Sequence, residues 1–320
     1  MGSVNPAEFS KAENMQELYR LLEAVGIGPG WNKPEPSLWP APKKNFRPAH
    51  WSYGIGRAAL ESAGKFVSTE LAERRNLILS NPVPGNTYGT ARTIVSAYQM
   101  VMPHEVARSH RHTPNALRLV VEAAPKTYTV VDGKKIPMLP GDVLLTPNWS
   151  WHGHNNESDQ CAYWIDFLDA PLVQLLEPMF LEGFPGSFVE KTDVVDQNSP
   201  FRFAFEESRR RLEALPDTQP GKRDLLLGPQ SLDTLDLHVW RIEAGASLAD
   251  KRSTANSVFA VIEGEGTSVI DQQEFHWSRG DVFVVPGWNT HAYKADSRSY
   301  LLRVTDEPVM KRCNWLRQEA

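Results

Sequence analysis

The sequence predicts a mainly β protein in which one β-barrel occurs twice in tandem, preceded by a helical extension and joined by connecting helices. Three observations carry this reading. Short runs rich in Val, Ile, Leu, Thr and Tyr, separated by Gly, Pro and Asp, occupy residues 90–170 and return after residue 230. Helical spacing of apolar residues is found in the segments outside those regions. The two β regions also repeat each other. GDVLLTPNWSWHGH (141–154) aligns without a gap on GDVFVVPGWNTHAY (280–293), and HTPNALRLVVE (112–122) lies on STANSVFAVIE (253–263). The predicted organisation is an extension over 1–88, a first barrel over 89–170, a helical connection and linker over 171–229, and a second barrel over 230–320.

In the extension, Met15, Leu18, Leu21, Leu22 and Val25 recur at helical spacing until Gly26 and Gly28 stop the pattern. The stretch GPGWNKPEPSLWPAPKKNFRP (28–48) is too interrupted by proline for regular structure and is expected to run over another element or subunit. LAERRNLILSNP ends a second helical or strand-like segment. TIVSAYQMVM, LRLVVEA, TYTVV and DVLLTP read as strands of the first barrel. APLVQLLEPMFLEG and FAFEESRRRLEALP are helical, PDTQPGKRD is a linker, and LDLHVWRIEAG, SVFAVIEGEGTSVI, DVFVVP and SYLLRVTD form the second barrel.

The composition narrows the function classes. A chain of 320 residues with 41% hydrophobic and 23% charged residues has the makeup of a folded globular protein. Its net charge of -5 gives no general attraction to nucleic acid or an anionic membrane. No apolar run is long enough to span a bilayer and the N-terminus lacks a signal-peptide plan, so the expected location is the cytoplasm. Cys161 and Cys313 stand far apart and are expected to be reduced thiols.

The repeat serves as an internal control. Gly-Asp, Pro and Trp occur in both copies and are explained by turn geometry and packing. Where the first copy has His110, His112 and Arg118, the second has Lys251, Ser253 and Phe259, and His291 alone matches His152. His110 and His112, two apart, project from one face of a strand. With His152 from a later strand they make a three-nitrogen site with open positions, suited to iron, zinc, copper or nickel. The second barrel is expected to be metal-free. Arg118, six residues beyond His112, faces the same interior, and a buried guanidinium calls for an anion such as a carboxylate. A structural salt bridge to Glu122 or Asp166 is the bland alternative. His154 shares the face of His152 and is either a support for a ligand or a substrate contact.

The motifs HRHTPNALR, LTPNWSWHGHNN and WIDFLD, set in this repeat, resemble the gentisate 1,2-dioxygenase family of bicupins, which includes salicylate, 5-substituted salicylate and 1-hydroxy-2-naphthoate dioxygenases. The resemblance runs over nearly the whole chain and implies tandem cupin, or jelly-roll, barrels. It implies ferrous iron held by His110, His112 and His152. It also implies a small aromatic carboxylate substrate bound through its ortho hydroxyl and carboxylate, and O2, with the ring cleaved between the two substituted carbons. Gln99, Arg118, His154 and one of Arg74 or Arg75 match positions near the family's substrate site, and Asp166 matches an acidic residue there. A homotetramer is implied as well. The chain departs from the family in having EAAPK (122–126) where a glycine turn is common, WHGHNN for WHDHGN, and DFLD for DGLD, which places Phe167 at a usual glycine. The readings from other classes are a non-catalytic bicupin that binds an aromatic acid, and a cupin enzyme using another metal.

Overall fold

The structure, a computed structural model, describes residues 4–189, 191–192, 194–228 and 232–319, and divides into units over 1–43 and 44–320. The first unit carries α1 (Pro6–Phe9) and α2 (Met15–Ala24). Asn14 caps α2 by accepting from the Glu17 amide at 2.9 Å. No described helix or strand follows until residue 49, in keeping with the proline spacing.

The second unit opens with β1 (Ala49–Trp51), α3 (Tyr53–Ala63) and β2 (Arg75–Ile78). Then come β3 (Val95–Val101), β4 (Val106–His112), β5 (Ala116–Glu122), β6 (Thr127–Val131), β7 (Lys134–Pro137), β8 (Val143–Thr146), β9 (His152–Asn156) and β10 (Ala162–Leu168). The connection holds α4 (Ala170–Leu176), β11 (Leu181–Gly183), β12 (Arg202–Phe203), α5 (Phe205–Ala214) and β13 (Lys222–Leu226). The chain continues through β14 (Asp236–Ile242), β15 (Ser247–Asp250), β16 (Ser257–Glu263), β17 (Glu265–Ile270), β18 (Gln273–Ser278), β19 (Val282–Val285), β20 (His291–Ala295), β21 (Ser299–Thr305) and α6 (Glu307–Arg312).

Each barrel is a pair of antiparallel sheets. In the first, the order β12-β8-β5-β10-β3-β2 is matched with β11-β4-β9-β6-β7, and in the second β1-β19-β16-β21-β14-β13 is matched with β15-β20-β17-β18. Val101, Val120, Val131, Ile136, Leu144 and Trp164 close the first interior, and Trp240, Phe259, Phe283 and Tyr293 fill the second. The other faces of the two six-stranded sheets meet in one core, where Leu117, Leu119, Ile165 and Phe167 join Val258, Ala260, Leu302 and Val304. Strands buried on both faces explain the nearly continuous apolar runs in the sequence.

The repeat is longer than the sequence shows, and its outer pieces are exchanged. β1, from before the first barrel, pairs with β19 of the second, whereas β12 pairs with β8 of the first. β2 and β13 then return to the edges of the first and second barrels. The Gly-Asp turns receive these pieces. Asp281 accepts from the Tyr53 amide at 2.7 Å at the start of α3, and Asp142 accepts from the Phe205 amide at 3.0 Å at the start of α5. Gly141 and Gly280 have φ of +86° and +85°, and a Cβ at either would lie within 2.7 Å of the ring of Phe205 or Tyr53. Trp149 and Trp288 share left-handed turn positions, with φ of +63° and +64°. Residues kept in both copies thus serve turns and docking.

Candidate metal centre and substrate cavity

His110 and His112 lie on β4 and His152 on β9, with His110 directly across the ladder from His152. The three side chains are buried, and ligand nitrogens from each lie within 4.8 Å of one another. Their rings meet at centroid distances of 4.4 Å (His110 and His152), 4.8 Å (His112 and His152) and 5.7 Å (His110 and His112). Every Nδ1 is bonded to a backbone carbonyl two residues away: Arg108 at 3.3 Å, Pro114 at 2.8 Å and Ser150 at 3.0 Å. An Nδ1 that donates leaves Nε2 unprotonated on the neutral ring, the form a metal requires. Burial pushes His112 down to about 4, reinforced by His110, and holds His152 well below the ordinary value. Neutral imidazoles with bare Nε2 atoms fit a divalent transition metal.

Arg111, pointing away between the two histidines of β4, braces this face. Its guanidinium lies 4.4 Å and 4.5 Å from the ring centroids of Trp149 and Trp151. It also donates twice to Glu182 Oε2 on β11, at 2.8 Å and 2.7 Å.

Beside the histidines lies a chain of polar side chains. Arg118 and Asp166 are cross-strand partners on β5 and β10 and are almost completely buried. Arg118 donates from Nη1 to Thr129 Oγ1 at 2.8 Å and to the His154 ring at 2.9 Å, and from Nη2 to Thr146 Oγ1 at 3.0 Å. Its Nε faces Asp166 Oδ1 at 3.4 Å, and both atoms lack a hydrogen-bond partner among the described residues. Gln99 donates to Asp166 Oδ2 at 2.7 Å and accepts in turn from Arg74 Nε. Burial brings Arg118 down to about 10, still cationic at neutral pH, with Asp166 opposing the shift. Burial and the nearby Arg118 keep His154 neutral, its ring 5.1 Å from that of Trp164.

The sequence-predicted residues therefore divide. His110, His112, His152, His154, Gln99, Arg118, Asp166 and Arg74 come together. Arg75 does not join them and is instead paired with Glu105. Arg118 is less open than a free guanidinium fork, because Thr129, His154 and Thr146 already take bonds from Nη1 and Nη2. Its ion pair is with Asp166, whereas Glu122 accepts from the Tyr53 hydroxyl at 2.9 Å. Phe167 points to the opposite face of β10, into the shared core. Gly153 leaves room for Ser109, whose Oγ would be 2.9 Å from an added Cβ.

Sequence reasoning missed Glu73. Its Oε2 lies 3.3 Å from His110 Nδ1 and 3.1 Å from Arg74 Nη1, tying the metal face to the polar chain. Burial works to raise its carboxyl, yet His110, Arg74 and Arg108 hold it below the usual range. The signal was its position immediately before Arg74 in LAERR.

Comparison with known proteins places this geometry. Residues 97–168 and 238–305 each match the family model described as a cupin domain. Gentisate 1,2-dioxygenase 1 of Aquipseudomonas alcaligenes is 32% identical, over 95% of each chain. The 5-aminosalicylate 1,2-dioxygenase of a Comamonas species is 30% identical, over 96% of this chain and 90% of that protein. Salicylate 1,2-dioxygenase of Pseudaminobacter salicylatoxidans superposes with a TM-score of 0.87 at 28% identity, covering 96% of this chain and 97% of that one. A variant of that enzyme in complex with gentisate gives 0.89 at 27% identity, covering 99% and 98%.

Proposed function

The chain belongs to the gentisate 1,2-dioxygenase family of bicupins and is a ring-cleaving dioxygenase, and from its site we propose that it uses iron(II) and O2 to open a 2-hydroxybenzoate between the carbons bearing the carboxyl and hydroxyl groups. The observation that carries the substrate class is the convergence of three bare imidazole nitrogens with the Arg74, Gln99, Asp166 and Arg118 chain in one barrel. Gentisate, salicylate or a 5-substituted salicylate such as the 5-amino or 5-nitro compound carries the required ortho pair.

His110, His112 and His152 would hold the ferrous iron, which would supply the Lewis-acid and redox chemistry for an ortho-hydroxy carboxylate and O2. Around it, Arg74 and Arg118, which both face Asp166, are the cations available to neutralise the substrate carboxylate. Asp166 Oδ1, buried with no hydrogen-bond partner among the described residues, is the acceptor for a substrate hydroxyl proton, while Gln99 holds the other oxygen. His154 fixes the Arg118 guanidinium and presents its ring to the substrate. Apolar walls from Val120, Leu144 and Trp164 keep water from the reacting ring.

No described helix is long and apolar enough to cross a membrane. We place the enzyme in the cytoplasm as a homotetramer, supported by the family resemblance and by the exposed Phe180, Leu181 and Phe188 beside β4. Sedimentation of the purified protein measures the assembly. The activity is tested by oxygen uptake of the ferrous protein with gentisate, salicylate and 5-aminosalicylate. Uptake with at least one, one O2 per ring opened, is expected, and no uptake with any of them contradicts the reading.

A further inference from the structure

Each position that builds the site of the first barrel has a counterpart in the second, fixed by strand pairing. Phe259 faces Arg303 across β16 and β21 as Arg118 faces Asp166 across β5 and β10. Asp224 faces Trp240 as Asn76 faces Gln99, which sets Trp240 at the place of Gln99 and Lys222 at the place of Arg74. His291 stands for His152, and across the ladder from it Asp250 takes the place of His110, with Lys251 next along the chain. Aromatic rings fill the base of this barrel, but its mouth is open. A cavity of about 260 Å³ lies among Lys222, Trp240, Lys251, His291 and Arg303.

The charges around this cavity favour one kind of guest. Its carboxylates are already engaged. Asp224 accepts from His238 at 2.7 Å and Trp240 Nε1 at 2.8 Å, Glu307 accepts from Arg303 at 2.7 Å and faces Lys311 Nζ at 2.9 Å, and Asp250 holds Gln219 and Lys222. The donors have capacity left. The Lys222 ammonium, nearly buried, has one ion pair among the described residues, at 3.5 Å, and sits 3.4 Å from the centroid of the Trp240 ring. Arg303 gives Nε to Ser257 at 2.9 Å and Nη2 to Glu307, while Nη1 has no partner among the described residues. His291 is bonded to Tyr293 through Nδ1 at 2.9 Å, which leaves Nε2 for the cavity. Filled acceptors and open donors beside an aromatic wall suit an anion with an apolar body.

We propose that the second barrel binds a small carboxylate, anchored by Lys222 and Arg303 and packed against Trp240. The volume, below the roughly 300 Å³ at which drug-sized pockets begin, limits the guest to a single ring or a short chain. This site is independent of metal binding and turnover in the first barrel.

The test is titration of the full-length protein with 4-fluorobenzoate, followed by fluorine NMR. A bound resonance that persists in His112→Ala is expected. Its dissociation constant should rise at least about tenfold in Lys222→Met and in Arg303→Gln, and about threefold in Lys251→Met at the exposed rim. The rim variant decides the matter if the buried substitutions unfold the protein, as circular dichroism would show. No bound resonance persisting in His112→Ala, or one that ignores the substitutions in the variants that fold, overturns the proposal.

Discussion

The two barrels share turns, docking helices and strand order, yet their interiors are built from opposite materials. The first buries Arg118, Asp166, Gln99 and His154 beside three histidines, and the second stacks Phe259 on Phe283 at 4.9 Å and tilts Trp240 against Phe259 at 5.0 Å. Each buried aromatic of that kind contributes about 1.5–3 kcal/mol, whereas a buried guanidinium costs several unless its donors are met. The first interior gives up apolar packing for chemistry and recovers part of the difference through the hydroxyls of Thr129 and Thr146. The second, sharing one core with it, supplies packing. Duplication therefore separates two demands that conflict within a single barrel.

Substitution at one matched position should separate those demands most sharply. Arg118→Leu is expected to lower kcat/KM by about 10³-fold, because it removes a buried positive charge and leaves Asp166 with only Gln99 and the more distant Arg74 as partners. Phe259→Leu should leave kcat/KM within about twofold and lower stability by about 1 kcal/mol. Steady-state kinetics and urea unfolding measure the pair, and equal kinetic losses would erase the distinction between the barrels.

Shared positions should respond alike. Gly141→Ala and Gly280→Ala each force a Cβ onto a left-handed residue pressed against an aromatic ring, and each should cost about 2–3 kcal/mol. A large stability loss at only one of them would show that the Gly-Asp turns are not equivalent.

Acid should act on the second barrel through Glu307, which follows Asp306 where the first barrel has Ala170. Burial opposes its ionisation, but Arg303 and Lys311 outweigh burial and bring it to about 2 from 4.5. A carboxylate depressed by folding contributes stability above its unfolded value, and that contribution is lost as pH falls. Glu307→Gln should be about 2 kcal/mol less stable than the parent at pH 7. The gap should close between pH 4.5 and about 2. A gap that persists at the acid end of unfolding curves would contradict this sign. The smallest effect is expected at the edge of the first barrel, where Arg74→Met should raise KM about tenfold, equivalent to about 1.4 kcal/mol, and Arg75→Met should leave it unchanged.

The sequence was most legible where a rule of spacing applied. His110 and His112 share a face because they are two apart, and the lost histidines of the second copy marked the first as functional. The exchange of β1 and β12 was hidden because these strands have three and two residues, too few for an alternation to register. The choice between Arg74 and Arg75 was hidden too, since an isolated pair of arginines in LAERR does not say which one a strand will turn toward Gln99. Glu73 was missed for the same reason. The engagement of both terminal nitrogens of Arg118 was hidden as well, because Thr129 and Thr146 reach them from two other strands.

Iron content per chain tests the division between the barrels most directly. After anaerobic loading and desalting, one iron per chain is expected in the parent and in His291→Ala, and none retained in His112→Ala. Iron lost with His291, or retained without His112 at the parent's level, would contradict it.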